Sequence, residues 1–515
     1  MAVFRISHRG LIQIKNIMID VAVIGAGISG IGAASYLTMK CPNKSFQIIE
    51  SRKNIGGTWD LFKYPGIRSD SDMYTMGYSF KPWKEDKTLA DGSSILRYLD
   101  ETIDEYHFRD KISFNTKLTS LQWNSNEACW TLDLETPEGE KQIKAKFVFM
   151  GTGYYNYEKG YLPDFKGSDS YKGIKIHPQH WPEDLDYENK TVAVIGSGAT
   201  AATVVPALAE KANHVYMIQR SPTYYFPVPE VNAFGAFLKK ILPHSLAYKI
   251  VRTRNVWLQQ TLFKHSKKNP ERVKNLLLDE VRKHLPDEYV DKHFTPTYNP
   301  WDQRICALPE GDLFNAINEK RASVITGHIG SFTETGIKME SGEEIQADII
   351  VTATGLRMQF LGGADVKVDN RDIDMPNTVA YKGMMYTGVP NLINSFGYIN
   401  ASWTLRSDLT CEFMCKLINY MDENKITHSL PDPDIQVTED DWLNGFSSGY
   451  LMRSMHLFPK QGEKSPWRNN QNYFQDLKHR CHLNMRRIPC FQFYIYPKCP
   501  FIFLLWISII NVADL

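Results

Sequence analysis

The chain has 515 residues, 43% hydrophobic and 23% charged, with a formal net charge of +1. That length holds two or three domains with full cores, and so balanced a charge supplies no global field for nucleic acid. The eight cysteines (Cys41, Cys129, Cys306, Cys411, Cys415, Cys481, Cys490 and Cys499) contain no Cys-x-x-Cys pair. Their spacings fit neither a zinc site nor a disulfide framework, which points to free thiols in a reducing, cytoplasmic compartment.

Residues 1–18 form an N-terminal extension with Arg5, Arg9 and Lys15 and no acid. A targeting segment and a start codon upstream of the usual Met18 both fit it. Residues 19–24 read as a short apolar strand leading into Gly25-Ala-Gly27-Ile-Ser-Gly30, then a small-residue helix over 31–39. A second strand, 46–49, ends at Glu50, twenty residues after Gly30, where the ribose-binding acid of a dinucleotide unit belongs. Gly56-Gly-Thr58-Trp59 and residues 64–74 follow; their small residues and indole suit either an ordinary loop with a core Trp or a surface against a flavin ring. Runs at 130–134 and 142–144 flank the turn signal Pro137-Glu-Gly139, and a strand at 147–150 ends in Gly151-Thr-Gly153.

The unit then repeats. A strand at 191–195 enters Gly196-Ser-Gly198-Ala-Thr200-Ala201, a helix runs to about residue 212, and a strand at 214–218 ends in Gln219-Arg220. A carboxylate at this place repels a 2′-phosphate, whereas arginine pairs with one. The first unit is therefore expected to take a nucleotide with a free ribose hydroxyl, and the second to prefer NADPH. Residues 228–294 are basic and helical. Asn269-Pro270 opens a helix with an apolar stripe of Val273, Leu276, Leu277, Val281 and Leu285, and Pro286 ends it. The basic residues read as a solvated face, with a membrane-surface role as the sharper alternative. A second hairpin, 337–339 and 344–346, feeds a strand at 349–353 that stops at Thr354-Gly355, echoing the first unit.

The expected fold is α/β: two Rossmann-like dinucleotide-binding domains, the second inserted into the first, plus a helical insertion. The boundaries expected are 19–160 for the first part of the FAD domain, 161–335 for the NADP domain with the insertion at 228–294, and 336–480 for completion of the FAD domain. Residues 481–515 are a divergent apolar tail, interrupted by Pro497, Lys498 and Pro500 and too short in its clean run to span a bilayer. A frayed terminus and a weak peripheral anchor flanked by Arg486 and Arg487 are both open readings of it.

Between the two turns lies Tyr171-Lys-Gly173-Ile-Lys-Ile-His177-Pro-Gln-His-Trp181-Pro182. It resembles the signature of the Baeyer–Villiger monooxygenases, with Tyr171 in place of the usual Phe. Gly56-Gly-Thr-Trp-Asp-Leu-Phe, Tyr64-Pro-Gly-Ile-Arg-Ser-Asp70, Asn299-Pro-Trp-Asp-Gln-Arg304 and Tyr398-Ile-Asn-Ala-Ser-Trp-Thr-Leu extend the likeness over about residues 19–480. These runs resemble the ethionamide-activating subgroup of that family. The resemblance implies tightly held FAD, NADPH as hydride donor, and O2 activated as a C4a-peroxyflavin. Ketones would become esters or lactones, and sulfur compounds would be oxygenated. It implies flavin contacts at Thr58, Trp59, Asp70 and Tyr74, and a catalytic Arg304 oriented by Asp70. His177 and Trp181 would act in a hinge and not on substrate. Gln303 stands where many relatives carry a lysine for the 2′-phosphate, which leaves Arg220 as the main NADPH determinant. An S- or N-oxygenating flavin monooxygenase is the nearest rival, and a nucleotide-binding protein without turnover is the rival from another class. A flavin-linked disulfide reductase would need a cysteine pair beside the flavin, and no cysteine lies between Cys41 and Cys129; Cys411 and Cys415 read as core residues.

Overall fold

The computed structural model describes residues 18–431, 437–438, 445–481 and 491–495. Residues 1–17 of the expected extension and the tail beyond residue 495 lie outside the described residues.

The strand Met18–Ile24 is the centre of the first sheet, which is why Val21, Ala22 and Val23 are apolar on both faces and fully buried. It pairs in parallel with Phe46–Ile49 on one side (Val21↔Phe46) and with the end of Gly139–Met150 on the other (Ile24↔Met150). Gly139–Met150 is one continuous strand and not a hairpin arm followed by a separate strand. Its first half pairs antiparallel with Cys129–Thr136, which pairs with Lys117–Asn124, so that Trp123 faces Trp130. Its second half enters the parallel core. The helix Ile28–Lys40 covers this sheet.

The second sheet is wholly parallel, in the order Ala322–Thr326, His214–Gln219, Thr191–Ile195, Ile349–Thr352, Ile174–Ile176. The register Ile349↔Val192 carries this unit past the expected boundary at residue 335. The hairpin of Gly336–Met339 and Glu344–Gln346 stands in a separate small sheet, and the strand after it returns to pair with the distant Thr191–Ile195. The helix after the second turn, Ala199–Leu208, stops four residues short of the expected end. Two strands join the units, Tyr155–Gly160 leaving and Leu356–Met358 returning, paired antiparallel. After Gly355 the chain rejoins the first sheet, where Asp365–Val368 pairs with Lys117–Asn124 and Leu392–Asn394 with Gly139–Met150. The second unit is thus inserted into the first.

The helical insertion comprises Ala233–Ile241, His244–Lys268, Pro270–Arg282 and Asp287–His293. In Pro270–Arg282, Val273, Leu277 and Val281 are buried as the spacing predicts, but Leu276 is exposed and Leu278 takes the inward position. The four-residue spacing of 273, 277 and 281 sets the face, and residue 276 falls outside it. Cys411 and Cys415 lie one turn apart in the core helix Trp403–Glu423, and the Cys41 thiol points at the Cys415 carbonyl, 3.7 Å away. Of the apolar tail, Phe491–Ile495 is a strand paired antiparallel with Ile426–Pro431. Among the described residues no helix is long and apolar enough to cross a membrane, and no three side chains cluster as metal ligands.

Candidate active site

A cavity of about 450 Å³ runs along the C-terminal edge of the first sheet, where ligands of open α/β sheets bind. Glu50, Arg52 and Lys117 line one end, the turn Gly25–Ser29 its middle, and Trp59, Asp70, Tyr154, Tyr155, Arg304 and Trp403 the other. Seven separate stretches of sequence converge here.

The turn is shaped by close packing. A Cβ placed on Gly30 would lie 1.8 Å from the Gly25 carbonyl oxygen, so only glycine lets the helix start this near the strand. Gly27 caps that helix without a side-chain hydrogen bond, which leaves its first N–H groups open to an anion. Glu50 is buried and accepts N–H bonds from Ala26 (2.6 Å) and Arg52 (2.8 Å). Burial raises its pKa, and those two hydrogen bonds only partly counter this. Its carboxylate lines the cavity end that suits a ribose diol.

At the far end, Arg304 Nη1 donates to Asp70 Oδ2 at 3.0 Å, with the side chains 34% and 40% exposed. Burial pulls the guanidinium pKa down, but Tyr450, Asp70, Tyr154 and Tyr155 outweigh it and hold the pKa well above its ordinary value. Tyr450 interacts electrostatically with Arg304 and Tyr154, and the Tyr154 and Tyr155 hydroxyls sit 3.0 Å apart. The three phenols stay protonated because burial raises their pKa values. Trp403 stacks on Tyr154 with 5.1 Å between ring centroids and donates its indole N–H to Ser29 Oγ at 2.8 Å, tying this end to the turn. The nearby thiol of Cys306 is pushed up to about 12, chiefly by burial, and is therefore neutral.

Thr58 and Trp59 line the cavity as expected. Tyr74 does not: it is buried in the core, stacked on Tyr248 at 5.8 Å. Its segment is already inside the Met73–Met76 helix, capped by Asp72, which turns the ring away from the cavity.

The second turn differs in one useful way. A Cβ on Gly198 would meet nothing within 4 Å, so this turn faces open space at the N-terminus of Ala199–Leu208. Gly196 packs against the Ala353 carbonyl, and Ala201 is fully buried behind the turn. Thr200 lies in the first turn of that helix, near Tyr64 of the first unit. Arg220 ends its strand exposed and without an ion pair among the described residues. It shares a field with Arg357 and Arg453: burial lowers the Arg453 pKa, Tyr161 opposes that shift, and the other two arginines add to it. Arg453 lies 3.5 Å above the Tyr161 ring.

None of the signature residues lines the cavity. The Tyr171 hydroxyl donates to Ala347 O at 2.8 Å, a use for the phenol that Phe would lack. A Cβ on Gly173 would strike that same hydroxyl at 2.2 Å. His177 Nδ1 accepts from the Gln179 N–H (3.2 Å), which puts its proton on Nε2, 3.1 Å from the Gly355 carbonyl. Burial lowers its pKa, so the ring is neutral. It lies flat on Gly160, where a Cβ would come within 2.1 Å of the imidazole. His177 therefore clasps both inter-unit strands at once. Trp181 is buried in a core that also holds Leu61, Phe62 and Tyr64 of the first unit, whereas Pro182 beside it is exposed.

The residues missed by sequence reasoning are Tyr154, Tyr155, Tyr450, Trp403, Arg357 and Arg453. Tyr154 and Tyr155 directly follow the Gly151-Thr-Gly153 stop and were within reach. Tyr450 sits in the short helix Gly449–Met452 and Arg453 just after it, a segment with no signal of its own.

A family description reading flavin-binding monooxygenase-like matches residues 18–290. The FAD-containing monooxygenase EthA of Mycobacterium tuberculosis is 48% identical over 463 residues, 89% of this chain and 94% of that protein. The probable FAD-binding monooxygenase AlmA of Acinetobacter baylyi is 46% identical over 463 residues, 89% and 93% of the two chains. Among solved structures, an oxidized steroid monooxygenase bound to NADP aligns with a TM-score of 0.76 at 20% identity, over 93% of this chain and all of that one. The cyclohexanone monooxygenase of Rhodococcus sp. Phi1 bound to NADP+ gives 0.72 at 21%, over 93% and 99%. At that identity the likeness concerns the fold.

Proposed function

The chain belongs to the flavin-binding monooxygenase-like family, and from that premise we propose that it uses FAD and NADPH to insert one atom of O2 beside the carbonyl of ketones, and also oxygenates sulfur compounds. The observation that carries this reading is the Arg304–Asp70 pair, set in the same cavity as the Gly25–Ser29 turn and Trp59.

The residues present fit the two nucleotides. The open N–H groups at Gly27 suit the FAD pyrophosphate and Glu50 its ribose, while Thr58 and Trp59 border the ring end. The free space at Gly198 suits the NADPH pyrophosphate, and Arg220, backed by Arg357 and Arg453, suits the 2′-phosphate. When bound, the flavin accepts hydride from NADPH and activates O2.

The protein's part is electrostatic. Arg304 keeps a fixed positive charge at the reacting end, where negative charge develops on oxygen, and it cannot discharge by losing a proton. Asp70 holds it in place. Neutral phenols and the neutral Cys306 put no competing anion there. His177 and Trp181 act at a distance by keeping the paired strands and the two units in register.

A cyclic ketone and a thioether, each supplied with NADPH and O2, test the reading. Lactone from the first supports ketone insertion. Sulfoxide alone would assign the enzyme to the S-oxygenating branch.

A further inference from the structure

Exposed apolar side chains are concentrated in one place. Of the seventeen exposed large hydrophobic residues among the described ones, nine fall within residues 231–262, so the patch is regional and not the scatter normal for a surface. The helices Ala233–Ile241 and His244–Lys268 pack as a hairpin, with the Arg254 guanidinium 5.0 Å from the centre of the Phe234 ring. Phe234, Phe237 and Ile241 recur at helical spacing on the first, and Leu246, Ile250 and Trp257 on the second. Phe237, Ile241 and Trp257 are 56%, 59% and 56% exposed.

This face cannot turn inward, because the other side of His244–Lys268 is already fixed. Tyr248 stacks on Tyr74, Arg252 pairs with Asp408 at 3.1 Å, and Asn255 donates to Asp72 at 3.0 Å. The charge is equally one-sided. From Glu230 to Glu271 the sequence holds eight Lys and Arg and no acid between, in a chain whose net charge is only +1. Arg252, Lys239 and Lys267 are paired with Asp408, Asp86 and Asp302. Lys240, Lys249, Arg254, Lys264 and Lys268 are exposed and make no ion pair among the described residues.

We infer that this hairpin docks on an anionic lipid surface, its apolar strip entering the interface and its five free cations meeting the headgroups. The charge selects this occupant over two others. A second copy placed face to face would bring two basic rims together. The apolar tail, residues 496–515, carries one Lys and one Asp and would leave the cations unanswered. The same helix holds the segments bearing Asp70 and Arg304, through Asp72 and through Lys267 to Asp302, so a docked bilayer lies one helix from the cavity. The inference does not depend on which substrate the enzyme oxidises.

The test floats the full flavin-loaded chain on vesicles of phosphatidylcholine alone or mixed equally with phosphatidylglycerol. Low-salt flotation is expected to be about tenfold greater on the anionic vesicles and to fall with added salt. The pair Phe237→Ser with Trp257→Ser, and separately Lys240→Glu with Lys249→Glu, should each reduce it about tenfold while NADPH oxidation is unchanged. Deleting residues 496–515 should leave it intact. Failure of the unaltered chain to float overturns the inference. So does flotation that survives both substitution pairs but disappears with the tail, and so does a dimer that the Phe237/Trp257 pair dissolves without any vesicle binding.

Discussion

Arg304→Ala isolates the proposed chemistry from the rest of the molecule. The Arg304–Asp70 pair is about a third exposed on both sides, so its loss should cost only about 0–1 kcal/mol of stability and little change in melting temperature. The kinetic cost is larger. A unit charge about 4 Å from a developing anion, at an effective dielectric of about 20, is worth roughly 4 kcal/mol. Deleting a single preorganised donor to an oxyanion typically slows a reaction about 10²–10³-fold. Solvent reaches Arg304, which places the expectation near the lower figure. Ester formation should therefore fall about 100-fold, with NADPH-derived electrons appearing as hydrogen peroxide. Anaerobic reduction of the flavin by NADPH should stay within about threefold of wild type, because the charge of Arg304 is required only where negative charge develops on oxygen. Asp70→Asn should be milder, about tenfold, since the amide oxygen can still accept from the guanidinium. Product assays coupled to peroxide detection read all of these effects. Ester formation by Arg304→Ala within about tenfold of wild type would refute the role given to this charge.

Arg220→Ala should raise KM for NADPH about 10–100-fold and leave KM for NADH nearly unchanged, the measure of a lost charged contact to the 2′-phosphate; equal changes would remove that contact. Gly30→Ala forces a Cβ to 1.8 Å from a carbonyl oxygen, so the turn must open and the protein should purify without yellow flavin; a fully flavinated variant would contradict the close-packing argument. His177→Asn should lower kcat more than KM and raise the fraction of NADPH spent on peroxide, whereas a pure loss of thermal stability would leave His177 a structural clasp only. Acid should destabilise the fold through His293 and His428, whose pKa values burial lowers to about 4. Their stabilisation is complete above the unfolded value of about 6.5 and is lost as pH falls toward 4, roughly 2 kcal/mol each by pH 5. Urea midpoints at pH 7 and pH 5 should differ less in the His293→Gln, His428→Gln variant.

Both glycine turns, Glu50, the strand–turn–helix units and the return of the chain after Gly355 were legible in the sequence, because each rests on a local pattern a few residues long. The boundary at 335 was not. Whether Ile349–Thr352 joins one sheet or the other depends on pairing with Val192, over 150 residues away. Leu276 and Tyr74 were misplaced for a related reason. Leu276 lies one step from the inward Leu277, and Tyr74 turns into the core instead of the cavity; only the packed neighbours decide. Tyr450 was unreadable, since its helix is a single turn and its electrostatic neighbour Arg304 is distant in sequence. The exposed hairpin of the insertion was visible as a run of basic residues, but its apolar outer face emerged only when the opposite face was seen to be anchored.

The most direct test of the account is to reduce the protein with NADPH under nitrogen, mix it rapidly with oxygenated buffer containing a cyclic ketone, and follow flavin absorbance together with product. The account predicts a delayed return of the oxidised flavin spectrum with lactone formed in proportion to NADPH. Immediate reoxidation with stoichiometric hydrogen peroxide and no lactone would contradict it.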